Sequence, residues 1–262
     1  MDLGLRDKVA LITGGSAGIG LATARAFLDE GARVAICARG AARLEAAAAE
    51  LRARPGARVF AQVCDVLQPE QVNAWVAGAA AALGGVDALV NNAGQGRFLT
   101  FRETTDEQWR QELELKFFSI IHPVRAAYPH LRARGGGSIV VVNAVLARQP
   151  EPHMVPTSAA RAGVLNLARS LAEEFAPDGI RVNSLTLGTI ESEQWRRRYR
   201  EANTDRSEAE WLAEQAAARH IPLGRFGRPD EVAGTIVFLC SRQAGFITGA
   251  TVDVAGGVQR YV

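Results

Sequence analysis

Thr13-Gly14-Gly15-Ser16-Ala17-Gly18-Ile19-Gly20, which follows the apolar run Val-Ala-Leu-Ile at 9–12, is the stretch on which the fold turns. A short aliphatic run that breaks into glycines and then into a helix-periodic segment reads as strand, tight turn and helix. Gly14, Gly18 and Gly20 allow close backbone approach, and a helix N-terminus offers free N–H groups and the positive end of its dipole. Such a turn can hold a pyrophosphate. The spacing G-x-x-x-G-x-G departs from the usual dinucleotide pattern G-x-G-x-x-G, and glycines in a strand-to-helix turn also have purely structural uses.

Outward from this turn, strands are expected at 9–13, 33–38, 59–64, 88–91, 138–143, 181–186 and 251–254. Helices are expected at 18–30, 41–53, 69–83, 105–133, 154–176 and 229–241. The alternation predicts a doubly wound parallel sheet, a Rossmann-like α/β fold, in one domain spanning 1–262. The charged stretch between Leu187 and Pro222 belongs to no βαβ unit and reads as a helical lid inserted near 190–220. Insertions there cover the crevice at the carboxyl ends of the strands, so substrate specificity is expected in it.

Composition narrows the function. A formal net charge of +2, from 30 basic and 28 acidic residues, gives no one-sided basic surface, so no nucleic-acid partner is expected. Cys37, Cys64 and Cys240 lie in apolar runs without C-x-x-C spacing, and His122, His130, His153 and His220 are scattered, so no metal site is expected. The weakly polar stretch 72–86 is too short for a membrane span, and no signal peptide is visible. A soluble, cytoplasmic protein with no membrane partner is the expectation.

Two further strand ends join the glycine turn: Asp65-Val66 after the third strand, and Asn91-Asn92-Ala93-Gly94 at the fourth. With these, the whole chain resembles the short-chain dehydrogenase/reductase (SDR) family, whose TGxxxGxG turn, Asp-Val adenine contact and NNAG strand end match. The resemblance implies cofactor contacts at Gly14, Ser16, Gly18, Ile19, Gly20, Asp65, Val66, Asn92, Ala93 and Gly94. It adds Gly188 and Ile190, from a segment bordering the nicotinamide in which Leu187 replaces the family's proline. It also implies a homodimer or homotetramer formed through the fourth and fifth helices, which here carry Phe117, Phe118, Leu165 and Leu167. NAD-binding members close the second strand with an acid; here Ala38 stands there, followed by Arg39 and Arg43. Either the arginines decorate a solvated helix start, or they pair with a 2′-phosphate; only the second accounts for Ala38, so NADP(H) is favoured over NAD(H).

The family's Asn, Ser, Tyr and Lys roles fall on Lys116, Ala144, Thr157 and Arg161. Reduction of a ketone needs a proton donor with a pKa near working pH, and tyrosine, at about 10, can be tuned to this by a neighbouring cation. An alkanol such as Thr157 cannot, and Ala144 offers no hydrogen bond to a substrate oxygen. Ordinary carbonyl reduction or alcohol oxidation is therefore expected to be weak or absent. Asn143 and Ser158 each stand one residue away from the expected place, on another face of their elements. Arg161 can still bond a nicotinamide ribose. His153 and Lys116 are candidates for a rebuilt site, against the plain readings of a loop histidine and a solvated lysine; Thr157 also suits a first helical turn or N-cap. Three readings stand: an atypical oxidoreductase acting on a small molecule, a non-redox isomerase, dehydratase or lyase, and a cofactor-binding pseudoenzyme. The run Trp195 to Arg200 suits an anionic substrate, or is self-satisfied through Glu193–Arg197 and Arg197–Glu201 spacing.

Overall fold

In the computed structural model, which describes residues 1–261, the strands are β1 (Val9–Thr13), β2 (Arg33–Ala38), β3 (Val59–Val63), β4 (Ala88–Asn91), β5 (Gly137–Ala144), β6 (Ile180–Leu187) and β7 (Thr251–Val254). The helices are α1 (Gly18–Asp29), α2 (Ala41–Arg52), α3 (Pro69–Leu83), α4 (Asp106–Ala133), α5 (Val155–Phe175), α6 (Glu193–Ala202), α7 (Glu208–Ala218) and α8 (Pro229–Cys240). The strands form one parallel sheet in the order β3-β2-β1-β4-β5-β6-β7. Winding reverses between β1 and β4, which is where a sheet of this type opens a ligand crevice at its carboxyl edge.

Both faces of the sheet are covered, which is why its strands read as continuous apolar runs. On β1, Val9 and Leu11 join one core with Trp75, Val124, Leu131 and Val164 from α3, α4 and α5. Ala10 and Ile12 join the other, with Phe27, Leu44, Val232 and Ile236 from α1, α2 and α8. β5 and β6 each extend one residue beyond the expected bounds at both ends. The two are paired in register from Gly137↔Ile180 to Ala144↔Leu187, with Ile180 inside one core and Leu187 packed against the other. β3 stops one residue short of the expected end, at Val63.

The inserted segment expected near 190–220 holds two helices, α6 and α7. α6 ends at Asn203 in the left-handed region (φ 43°), and α7 restarts on a capping box in which Ser207 and Glu210 satisfy each other's backbone N–H groups. Trp195, Leu212, Ala216, Ile221 and Phe226 give this pair its own small core. The expected pair Glu193–Arg197 does not form. Glu193 is taken by Arg200 at 2.7 Å, while Arg197 does reach Glu201 at 3.5 Å.

On α4, Phe118 is exposed while Phe117 packs toward Gly163 of α5; Leu165 and Leu167 of α5 are half-buried. Among the described residues no helix is long and apolar enough to cross a membrane.

Leu89 lies fully buried in β4 between β1 and β5. Leu89→Ala is expected to lower unfolding stability by about 2–5 kcal/mol through lost burial and a residual cavity. Chemical denaturation with an unchanged m-value would measure this.

Candidate active site

The glycine turn leaves β1 with Gly14 at φ +68° and Gly18 at φ +52°, a region that side chains rarely adopt. At Gly20 the constraint is contact: a β-carbon there would lie 2.3 Å from the carbonyl oxygen of Gly14. The turn is clasped to the end of β4. Thr13 Oγ1 accepts the backbone N–H groups of Asn92 and Ala93, both at 3.0 Å, and Asn92 Nδ2 donates back to the carbonyls of Thr13 and Gly14 at 3.0 and 3.3 Å. Asn92 and Ala93 thus serve first to position the turn.

A crevice of two chambers runs across this clasp, and Gly14, Ala93, Gly94 and Gln95 line both of them. The larger, about 760 Å³, is bounded by Ser16, Ala38, Arg39, Arg43, Asp65 and Val66. Asp65 is fixed there by accepting the N–H of Leu67 at 3.0 Å. Arg39 and Arg43 are exposed and form no ion pair among the described residues; the carboxylate that Arg43 acts on, Glu193 of α6, is bonded to Arg200. The smaller chamber, about 290 Å³, is lined by Ile19, Asn92, Lys116, Asn143, Arg161 and Leu187. An elongated crevice with a glycine turn at its waist, free cations at one end and polar groups at the other fits a phosphorylated dinucleotide lying across the switch point.

Behind the smaller chamber lies a cluster that the sequence reading did not assemble. Glu112 of α4 is completely buried. Its Oε1 accepts from Lys116 Nζ at 2.6 Å and from the Thr157 hydroxyl, while its Oε2 has no hydrogen-bond partner and lies 3.8 Å from Arg97 Nε. Lys116 Nζ donates also to the Gln95 carbonyl at 2.6 Å. Burial pushes the Lys116 ammonium down to about 8; the bond to Glu112 opposes this but does not cancel it, and Arg161 and Arg97 add smaller repulsions. Arg161 is lowered to about 10, also by burial; its Nη1 donates to Asn143 Oδ1 at 3.2 Å and its Nε is buried without a partner. The signal for Glu112 was present as the i,i+4 spacing to Lys116, which sets both on one face of α4.

The remaining expected residues fall as follows. Thr157 is fully buried; it sits in the first turn of α5 but does not cap it, because Met154 holds the N-cap position and the Thr157 hydroxyl is committed to Glu112. Ala144 ends β5 with its N–H on Asn143 Oδ1, and Val145, Leu146 and Ala147 after it bring no hydroxyl. Asn143, expected on the wrong face, does line the smaller chamber, where its amide also donates to the Arg161 carbonyl at 3.1 Å. Ser158 bonds back to the Met154 carbonyl within its own helix. His153 and Lys116 are not brought together: His153 is half-exposed, pairs with Glu151 at 2.8 Å and stacks on Phe98. Leu187 reaches the smaller chamber, but Gly188 packs against Ala255 and Ile190 lines a separate hollow with Gly227. The Lys116 residue expected to be either solvated or catalytic is only 5% exposed.

A family model described as enoyl-(acyl carrier protein) reductase matches residues 14–259. Dehydrogenase/reductase SDR family member 4 of Homo sapiens is 35% identical over 254 residues, covering 97% of this chain and 88% of its own length. The chain belongs to the short-chain dehydrogenase/reductase family. Among solved SDR structures, an NADPH-bound short chain oxidoreductase from Pseudomonas aeruginosa, described as containing an atypical catalytic center, is 55% identical. It superposes with a TM-score of 0.95 and 99% coverage of each chain. L-Sorbose reductase from Gluconobacter frateurii, complexed with NADPH and L-sorbose, is 38% identical with a TM-score of 0.95 and full coverage of both chains.

The lowered pKa of Lys116 links folding to pH with a definite sign. Below about 8 the lysine is charged whether folded or unfolded and burial opposes folding in full; between about 8 and its ordinary 10.5 only the unfolded chain binds the proton. Stability should therefore rise with pH across that window. In Lys116→Met this increment should vanish, as read by urea denaturation of both proteins at pH 8 and pH 10.

Proposed function

We propose that this SDR protein is an NADP(H)-dependent oxidoreductase whose proton donor is Lys116, held by Glu112, in place of the family's tyrosine. The observation that carries this reading is the position of the Lys116 ammonium: it lines the smaller chamber, buried, with a pKa near 8. General acids work best with a pKa near the operating pH, and this one meets that condition where the Thr157 hydroxyl does not. An ammonium has three N–H donors, of which two go to Gln95 and Glu112, leaving one for a carbonyl oxygen in the chamber.

When bound, the reduced dinucleotide supplies a hydride to the carbonyl carbon. Lys116 gives a proton to the oxygen as negative charge develops there, and the neutral amine that remains is stabilised by its buried surroundings until solvent reprotonates it. Glu112 fixes the amine's position through one short contact and ties it to α5 through Thr157. Arg161, oriented by Asn143, faces the chamber with donors suited to ribose hydroxyls. Ala144 supplies no second donor to the oxygen. An oxyanion-hole donor is worth about 10²–10³ in rate, so simple ketones should be reduced slowly compared with members carrying the full tetrad. Arg39 and Arg43 stand free where a 2′-phosphate would lie, and Ala38 withdraws the acid that would hold a ribose 2′-hydroxyl; NADPH-bound relatives support the same cofactor.

Arg39→Ala is expected to weaken NADPH binding about 10–100-fold while leaving NADH little changed, since hydrogen bonds to a charged group contribute about 1.5–3 kcal/mol. Isothermal calorimetry with both cofactors decides it; equal affinity of the wild type for the two would remove the 2′-phosphate assignment.

For the reaction, NADPH consumption against a carbonyl panel should fall as pH rises through about 8, where Lys116 loses its proton. Lys116→Met should abolish that dependence and lower kcat about 10²–10⁴-fold with NADPH affinity retained. An unchanged pH profile in this variant would overturn the assignment.

A further inference from the structure

The lid's arginines divide into two kinds. Arg196, Arg197 and Arg200 each reach a carboxylate, at Glu208, Glu201 and Glu193 respectively. Arg198 reaches none. It is half-buried, with its guanidinium 4.7 Å from the ring centre of Phe98 in the loop after β4 and 4.6 Å from that of Trp195. Arg219, just beyond α7, stacks over the same Trp195 ring at 4.6 Å and uses only Nη1, bonded to Gln215.

Aromatic faces attract a guanidinium but accept none of its in-plane N–H bonds. Among the described residues Arg198 therefore keeps its donors unspent, and the two guanidinium groups repel across a shared ring. That repulsion, with burial leading, holds Arg219 below its ordinary pKa. The acid that acts on Arg219, Glu151, is bonded to His153, whose ring stacks on the same Phe98. Phe98 directly follows Arg97, which reaches Glu112 at 3.8 Å, so the loop that carries the Arg198–Phe98 contact is tied one residue away to the Glu112–Lys116 cluster. Among the described residues, Glu112 acts on Lys116 and Arg161, and Glu151 acts on Arg219, which Arg198 repels.

We propose that Arg198 and Arg219, presented by the lid on Trp195 and Phe98, bind the anionic group of the substrate, a carboxylate or a phosphate ester, and so select anionic carbonyl compounds. The planar fork of a guanidinium matches both groups bidentately. The assignment rests on the reading of the smaller chamber as the reducing site, and its test separates the two. NADPH consumption is measured with oxocarboxylic acids of increasing chain length against their methyl esters, and with dihydroxyacetone phosphate against dihydroxyacetone. The wild type should prefer one anionic series over its neutral partners by at least about 10-fold in kcat/KM, and the favoured arm distinguishes carboxylate from phosphate. In Arg198→Gln and Arg219→Gln that preference should collapse by about 10–100-fold, mainly through KM. If no compound is reduced, the redox reading fails; the anion assignment is then decided by calorimetric titration of the same acids and of dihydroxyacetone phosphate into NADP⁺-saturated protein. Binding lost in both variants supports it. Binding that is absent, or unaffected by both substitutions, overturns it, as does a wild type indifferent to the substrate's charge.

Discussion

Four hydrogen bonds between the ends of β1 and β4 hold everything that follows in place. Thr13 Oγ1 takes two backbone N–H groups from the β4 end, and the Asn92 amide returns two donors to carbonyls of the glycine turn. The two strands are neighbours in a parallel sheet, so ladder hydrogen bonds already align them; the clasp fixes what happens where the ladder stops. It sets the angle at which α1 leaves the sheet, hence where its free N–H groups point, and it makes the waist shared by both chambers. Gly20 allows it by leaving out the one β-carbon that would strike the Gly14 carbonyl.

A second constraint acts behind the smaller chamber. A fully buried carboxylate is costly unless it is paired and hydrogen-bonded, and Glu112 meets the cost with Lys116, Thr157 and the nearby Arg97. The same arrangement sets the lysine's chemistry. Burial penalises the ammonium more than one carboxylate relieves it while two guanidinium groups stand close by, so its pKa falls toward neutrality. Thr157, which reads in sequence as a lost tyrosine, is the strut that ties Glu112 to α5. The lid is built on comparable terms, with a small aromatic core of its own and outward arginines neutralised on its surface, while Arg198 is turned inward onto Phe98.

Much of this was legible in the chain. The aliphatic runs gave β1, β2 and β4 with their ends, because strands buried on both faces must be continuously apolar and glycines mark where they stop; β7, a half-buried edge strand, also kept its expected bounds. The glycine turn pointed to a pyrophosphate through its local chemistry, and the resemblance of Asp65-Val66 and the Asn92-Ala93-Gly94 strand end to the family's motifs extended this to a dinucleotide crevice; Ala38 with Arg39 pointed to a phosphate by comparison with the family's usual acid. Each of these features is contained within a few consecutive residues whose backbone geometry the sequence dictates.

What the sequence left open depends on elements distant in the chain. Glu112 and Thr157 are 45 residues apart and meet only because α4 and α5 pack side by side. Asn143 faces the chamber because Arg161 from the next helix takes its amide, which no strand periodicity encodes. The separation of His153 from Lys116, and the choice of Arg198 rather than its neighbours as the inward arginine, are likewise settled by packing. The sequence determined the fold and the cofactor crevice, since periodicity and turn chemistry are local properties; the tertiary structure alone decided which charged groups are buried together, since burial and pairing set the strength of a charge and neither exists before the helices meet.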